Sequence, residues 1–146
     1  MMDDAMILLV EDNADDEILT LHALKANDIE NKVFVARDGV EALDFLFCRN
    51  TYAERDHQDM PQLILLDIKL PKMDGPEVLR RLRADPRTRL IPVVMLTSSR
   101  EERDLIESYR SGANSYLRKP VDYAQFVEYV GQLGSYWLRL NQAPPR

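Results

Sequence analysis

Glu11 and Asp12 directly follow the apolar run Met6-Ile7-Leu8-Leu9-Val10, and Asp67 directly follows Leu63-Ile64-Leu65-Leu66. Thr97 closes Pro92-Val93-Val94-Met95-Leu96, and Lys119 comes just after Ser115-Tyr116-Leu117. Taken singly, an acid after an apolar run can serve only as a loop cap. Three carboxylates at such positions, with a hydroxyl and a lysine at the matching ends, make a set with chemistry of its own. Like charges brought together repel, so the set needs compensation by a hard divalent cation. Mg²⁺ suits it, preferring oxygen ligands in an octahedron at roughly 2.0–2.1 Å and keeping several waters. Lys119 offers a second positive charge, able to pair with an anion beside the metal. Such a site is suited to accepting a phosphoryl group. One carboxylate attacks phosphorus while metal and ammonium neutralise charge on the equatorial oxygens. Asp67 is the expected nucleophile, because it stands centrally and leaves the other acids to the metal.

These residues need elements that bring them to one edge. The continuous apolar runs, with Val33-Phe34-Val35-Ala36 among them, read as strands buried on both faces. Pro92 can open its strand, since a first residue need not donate to the ladder. Helix signatures lie between the runs. Asn13 is a candidate N-cap before Asp15, Asp16 and Glu17, and Asp74 before Pro76 and Glu77-Val78-Leu79-Arg80-Arg81-Leu82. Ser98 or Ser99 is expected to cap a helix from Arg100 to Ser111, with Gly112 as its C-terminal stop. A last helix is expected from about Asp122 to about Leu140. The alternation predicts an α/β fold: a doubly wound (βα)₅ parallel sheet with right-handed crossovers. The common strand order is then 2-1-3-4-5, with ligand chemistry at the C-terminal ends of strands 1 and 3.

Composition agrees by exclusion. The 146 residues hold 19 Lys and Arg against 25 Asp and Glu, a formal charge of −6. A nucleic-acid binder needs a basic face, so no nucleic-acid partner is expected. Cys48 is the sole cysteine, which excludes an internal disulfide or a cysteine-based zinc site. No apolar run approaches the ~20 residues of a membrane helix and no signal peptide opens the chain, so a cytoplasmic location is expected.

The motifs, in order, are Ile7-Leu8-Leu9-Val10-Glu11-Asp12-Asn13, Ala36-Arg37-Asp38-Gly39-Val40-Glu41-Ala42-Leu43 and Leu65-Leu66-Asp67-Ile68-Lys69-Leu70-Pro71-Lys72-Met73-Asp74-Gly75. Met95-Leu96-Thr97-Ser98 and Gly112-Ala113-Asn114-Ser115-Tyr116-Leu117-Arg118-Lys119-Pro120 follow. Together they resemble the receiver domain of two-component response regulators, a CheY-like family of flavodoxin-like fold. The resemblance implies that Asp67 takes a phosphoryl group from the phosphohistidine of a histidine kinase. It implies Mg²⁺ (or Mn²⁺) held directly by Asp12, Asp67 and the backbone carbonyl of Lys69, with Glu11 acting mostly through water. Lys119 would contact the phosphoryl oxygens, and the Lys119–Pro120 peptide would be cis. Thr97 and Tyr116 would form the switch pair, the hydroxyl moving to the phosphoryl group and the ring packing into the vacated space. An alternative is a Mg²⁺-dependent phosphohydrolase with an aspartyl-phosphate intermediate. That chemistry wants an acid two residues after the nucleophile, where this chain has Lys69.

Two stretches exceed the simplest receiver. Residues 48–61, including Cys48 and His57, read as a polar surface loop, typical of receivers paired with bacterial phytochromes. In the last helix Tyr123, Phe126, Val127, Val130 and Leu133 suffice for packing on the sheet. Tyr129, Tyr136, Trp137, Leu138 and Leu140 are left over, and Gly131 and Gly134 would let another backbone approach, so a homodimer on this helix is expected. Helix 1 is apolar almost all round, with Ile18 and Leu21 opposite Ala23, so one pair is expected at the surface. The expected organisation is a receiver over residues 5–140 and a short Pro-containing tail over 141–146, with no output domain, acting through a partner.

Overall fold

The computed structural model describes residues 5–145; Arg146, the end of the expected tail, lies outside them. Five strands, β1 (Ile7–Val10), β2 (Val33–Ala36), β3 (Leu63–Leu66), β4 (Val93–Thr97) and β5 (Ser115–Arg118), form one sheet in the order β2-β1-β3-β4-β5. Every neighbouring pair is parallel, with Val10 level with both Ala36 and Leu66. The helices are α1 (Ala14–Ala26), α2 (Gly39–Leu46), α3 (Gly75–Ala84), α4 (Glu102–Ser111) and α5 (Tyr123–Ser135).

Alternation along the central strands divides the apolar runs between two cores. Leu8, Val10, Ile64, Leu66, Val93 and Met95 pack with α2 and α3. Ile7, Leu9, Leu63, Leu65, Val94 and Leu96 pack with α1 and α5. A strand covered on both sides has no face left for polar residues, hence its unbroken hydrophobic sequence.

Helix starts are set by short acceptors. Asn13, Asp38 and Asp74 each accept a backbone N–H three residues on, at 3.0, 2.7 and 3.0 Å. Asp122 accepts from Ala124 at 3.1 Å. α4 departs from expectation: it starts at Glu102, and neither Ser98 nor Ser99 is its N-cap residue. Ser99 instead donates its hydroxyl to Asp104 at 2.6 Å while its oxygen accepts from the Glu101 N–H at 3.3 Å, which keeps Arg100 and Glu101 out of the helix. Gly112 stops α4 at φ 111°, a left-handed conformation that favours glycine.

The insert is more than a surface loop. Asn50–Tyr52 form a 3₁₀ turn, and the Tyr52 ring packs edge-on against Phe34 and Phe45, at 5.4 Å from each. The Tyr52 hydroxyl donates to Glu41 at 2.6 Å. The Arg55 guanidinium lies 3.8 Å over the Phe45 ring and donates to the Phe45 carbonyl at 2.9 Å. Cys48 is buried and His57 exposed. Segment 48–61 is thus strapped to β2 and α2.

The last helix also differs from the sequence reading. It runs on through a π turn, Tyr136–Leu140, and Leu138 is buried in the α1–α5 core, whereas Tyr123 is exposed. Gly131 and Gly134 face their own chain: a methyl there would collide with Asn27 and with Ile29, respectively. Asn27 exploits the space, donating to the carbonyls of Ala23 and Val127, both at 2.8 Å, and so clasps α1 to α5. On α1 the exposed apolar pair is Ile18 and Leu19, while Leu21 packs on the core.

Gly75 draws the turn after β3 tight. Its N–H donates to the Ile68 carbonyl at 2.8 Å, and a Cβ there would collide with the Asp67 carbonyl oxygen. Gly75→Ala should therefore cost about 1–3 kcal/mol, the usual penalty of overpacking against a backbone that cannot step aside. Urea unfolding measures it, and an unchanged midpoint would show that the turn yields.

Candidate functional site

The C-terminal ends of β1, β3, β4 and β5 open on one edge of the sheet, and the sequence-derived residues meet there. Glu11 is buried at 2% exposure, Asp67 is partly buried and Asp12 is exposed. One carboxylate oxygen from each lies within 4.8 Å of the others. Asp67 is held from its own turn, where its Oδ1 accepts the Ile68 N–H at 2.6 Å. Glu11 accepts the Asn13 N–H at 3.2 Å, tying the metal-type cluster to the start of α1.

Lys119 enters from the end of β5 with a side chain only 8% exposed. Its ammonium donates to Glu11 at 2.5 Å, to Asp16 at 3.2 Å and to Asp67 at 3.4 Å. Burial pushes the Glu11 carboxyl up to about 7 against the pull of Lys119. Burial alone would lower Lys119, but the charges of Asp67, Glu11 and Asp16 outweigh it and hold the ammonium above its ordinary value. No peptide among the described residues is cis, so the bond after Lys119 is trans, against expectation. The Lys119 N–H donates to the Thr97 carbonyl at 2.7 Å. The sheet thereby fixes the residue's backbone, and its four-carbon stem reaches the carboxylates with the bond trans.

Thr97 is buried, and its hydroxyl oxygen accepts the Ser99 N–H at 3.2 Å. Tyr116 is partly buried against the α2–α3 core, and its hydroxyl stands 3.5 Å from the Ser99 carbonyl. Burial raises this phenol above its usual value. Lys69 and Asp12 line an open cleft of about 550 Å³, with Asp74 and Asp104 also on its walls. The Lys69 side chain is exposed and stands 3.9 Å from Glu101.

One site residue escaped the sequence reading. Asp16 reads as a helix-dipole residue, yet it supplies the second carboxylate on Lys119. Its position carried the signal, since side chains in the first turn of a helix lean back toward the N-terminus, here over the end of β1.

Three hard oxygen donors beside one buried ammonium can hold a divalent cation and an anion together. No thiol or imidazole joins them, so the donor set favours Mg²⁺ or Mn²⁺ over softer metals. Residues 7–131 match the response regulator receiver domain. The chain belongs to that family. This receiver is 39% identical over 139 residues to response regulator Rcp1 of Synechocystis sp., covering 95% of this chain and 92% of that one. A Mn²⁺-bound structure of Rcp1 superposes with a TM-score of 0.87 at 38% identity, covering 97% and 99% of the two chains. The phosphorylated cyanobacterial phytochrome response regulator RcpA gives 0.90 at 37% identity, covering 98% and 100%. The bacteriophytochrome response regulator AtBRR gives 0.76 at 49% identity, covering 97% and 100%. The receiver is thus a response regulator of two-component signalling, and its relatives include the regulators of phytochromes. Its buried acidic cluster is consistent with divalent-metal binding. Among the described residues no helix is long and apolar enough to cross a membrane.

Removing the ammonium isolates the buried acid. Lys119→Met should cost about 3–5 kcal/mol at pH 7.5, because Glu11 loses its cation in a buried place. Glu11 then gains a proton more readily, so its folded-state value rises further above the ordinary 4.5. A raised value means stability present at low pH and lost as pH rises. The variant's deficit should accordingly shrink at pH 5, and urea unfolding at both pH values distinguishes this from a pH-independent packing loss.

Proposed function

We propose that Asp67 accepts a phosphoryl group from the phosphohistidine of a histidine kinase of phytochrome type. The single observation that carries this is the placement of Asp67. It stands at the C-terminal end of the middle strand, one oxygen fixed by the Ile68 N–H at 2.6 Å and the other 3.4 Å from Lys119. The free lone pairs of that second oxygen attack phosphorus as the P–N bond breaks, and the imidazole leaves with the electron pair and regains a proton. Glu11, Asp12, Asp67 and the carbonyl of Lys69 would hold Mg²⁺ or Mn²⁺, which supplies charge neutralisation for the transferring phosphoryl oxygens. Lys119 neutralises a further share, pre-aimed by its three carboxylates.

Thr97 then donates its hydroxyl to a phosphoryl oxygen, and the Tyr116 ring closes into the space beside it. The long hydroxyl contact of Tyr116 with Ser99, 3.5 Å, makes the ring easy to release. Hydrolysis reverses the state: water attacks phosphorus, Asp67 leaves as carboxylate and inorganic phosphate departs. The receiver promotes both steps on itself. A kinase charged from ATP meets it in the cytoplasm, and the likeness to the phytochrome response regulators RcpA and AtBRR supports a phytochrome as that kinase.

The second partner is another copy of the chain. With Leu138 and both helix glycines used internally and Tyr129 and Trp137 partly buried, the exposed surplus is Tyr136 and Leu140, 49% and 69% exposed, with Trp137 edge-on to Tyr136 at 5.0 Å. Tyr136 and Leu140 project from the last turns of the helix, backed by Trp137 on the core, and form a small apolar face suited to a twofold contact.

Incubation with phosphoramidate and Mg²⁺ should add one phosphoryl mass to the intact protein. The gain should vanish in Asp67→Asn and in the presence of a chelator, and an adduct that survives Asp67→Asn would sink the assignment. Light scattering should give the mass of a dimer for the wild type and of a monomer for Trp137→Ala, with phosphorylation intact; the same monomeric mass for both would end the dimer.

A further inference from the structure

The Lys119 ammonium has three N–H donors, and all three are engaged, on Glu11 at 2.5 Å, Asp16 at 3.2 Å and Asp67 at 3.4 Å. A phosphoryl group on the Asp67 oxygen that faces Lys119 takes over that oxygen's donor, and a second phosphoryl oxygen reaching the same ammonium must take a donor held by Glu11 or Asp16. Glu11 is not that partner. Its side chain is 2% exposed, and a buried carboxylate deprived of its cation is strongly disfavoured. The Asp67 donor passes to the group that Asp67 itself carries, so the partner a second contact displaces is Asp16.

Asp16 differs from both. Its side chain is 35% exposed, so water can replace the ammonium. It sits in the first turn of α1, where the positive end of the helix dipole stabilises the carboxylate even after it lets go. Its neighbour Glu17 is committed to Arg37 at 3.0 Å, and Asp15 is exposed and away from Lys119. The cluster of mutually close carboxylates holds Glu11, Asp12 and Asp67 but not Asp16, so a cation there leaves Asp16 to the lysine.

We propose that Asp16 is a positioning residue that competes with the phosphoryl group for Lys119. It holds the ammonium over the site while Asp67 is unmodified, and the phosphoryl oxygens displace it into water. The inference rests on Asp67 being the acceptor. The unmodified state is favoured by an ion pair that the modified state lacks, which sets the ease of switching. A partly exposed pair weighs roughly two- to fivefold in such an equilibrium.

Beryllofluoride with Mg²⁺, an unreactive mimic of the phosphoryl group on an aspartate, reads the equilibrium directly by titration calorimetry. Asp16→Asn and Asp16→Ala should both bind it roughly two- to fivefold more tightly than wild type. Asp15→Asn, which removes the same charge from the same turn without touching Lys119, should bind as wild type does. A damaged fold would not tighten binding, so the gain separates positioning from a structural role. No gain in either Asp16 variant, or an equal gain in Asp15→Asn, overturns the proposal. Absence of binding in the wild type would instead overturn the acceptor role of Asp67, and the exchange with it.

Discussion

A buried ammonium surrounded by carboxylates is the constraint on which this molecule is organised. Lys119 touches Glu11, Asp16 and Asp67, and Asp12 stands close by. One cation cannot neutralise four acids, and with burial the unbalanced charge costs more than it would in water. The excess is what makes the place receptive to a divalent metal, and it makes any added anion a strong perturbation. A signalling site benefits from that tension, because a modification of modest size then shifts the balance between two arrangements.

The sheet exists to hold the tension still. Parallel strands put their C-terminal ends on one edge, and the order β2-β1-β3-β4-β5 sets Glu11 and Asp67 on adjacent strands. Both faces of those strands are covered, so their ends cannot drift without opening one of two cores. The turns after the strands add local fixing: Asn13 N–H on Glu11, Ile68 N–H on Asp67, and Gly75 folded against the Asp67 carbonyl. Thr97 and Tyr116, the proposed switch pair, are held more loosely. Thr97 and Tyr116 both lean on Ser99, through a 3.2 Å and a 3.5 Å contact, and Ser99 also holds Asp104 ahead of α4. Motion at Thr97 is therefore coupled to the start of that helix by a single residue.

The additions to the basic fold serve packing as much as partners. Tyr52 and Arg55 turn the insert into a strap over Phe45 and Phe34. The glycines of α5 admit Asn27 and Ile29, so the helix lies closer to α1 than a side chain would permit. Polar composition in one case and small residues in the other pointed outward in the linear reading. Tyr52 and Arg55 turned inward onto nearby Phe45, while the glycines turned onto Asn27 and Ile29, which are remote in sequence.

The order of strands, the helix caps at Asn13, Asp74 and Asp122, and the convergence of Glu11, Asp12, Asp67, Thr97 and Lys119 were all legible from the chain. They depend on local patterns: unbroken apolar runs, short acceptors before helices, and residue types placed just after strands. Asp16 on Lys119 and the burial of Leu138 depended on contacts between distant segments, and the late start of α4 on which of its own neighbours Ser99 bonds. Periodicity assigns a residue to a face of its own element, but not to the element opposite. Sequence alone therefore determined where charge would gather. Only the tertiary structure decided which carboxylates hold the lysine, since that choice rests on ångström distances between loops that no local pattern encodes.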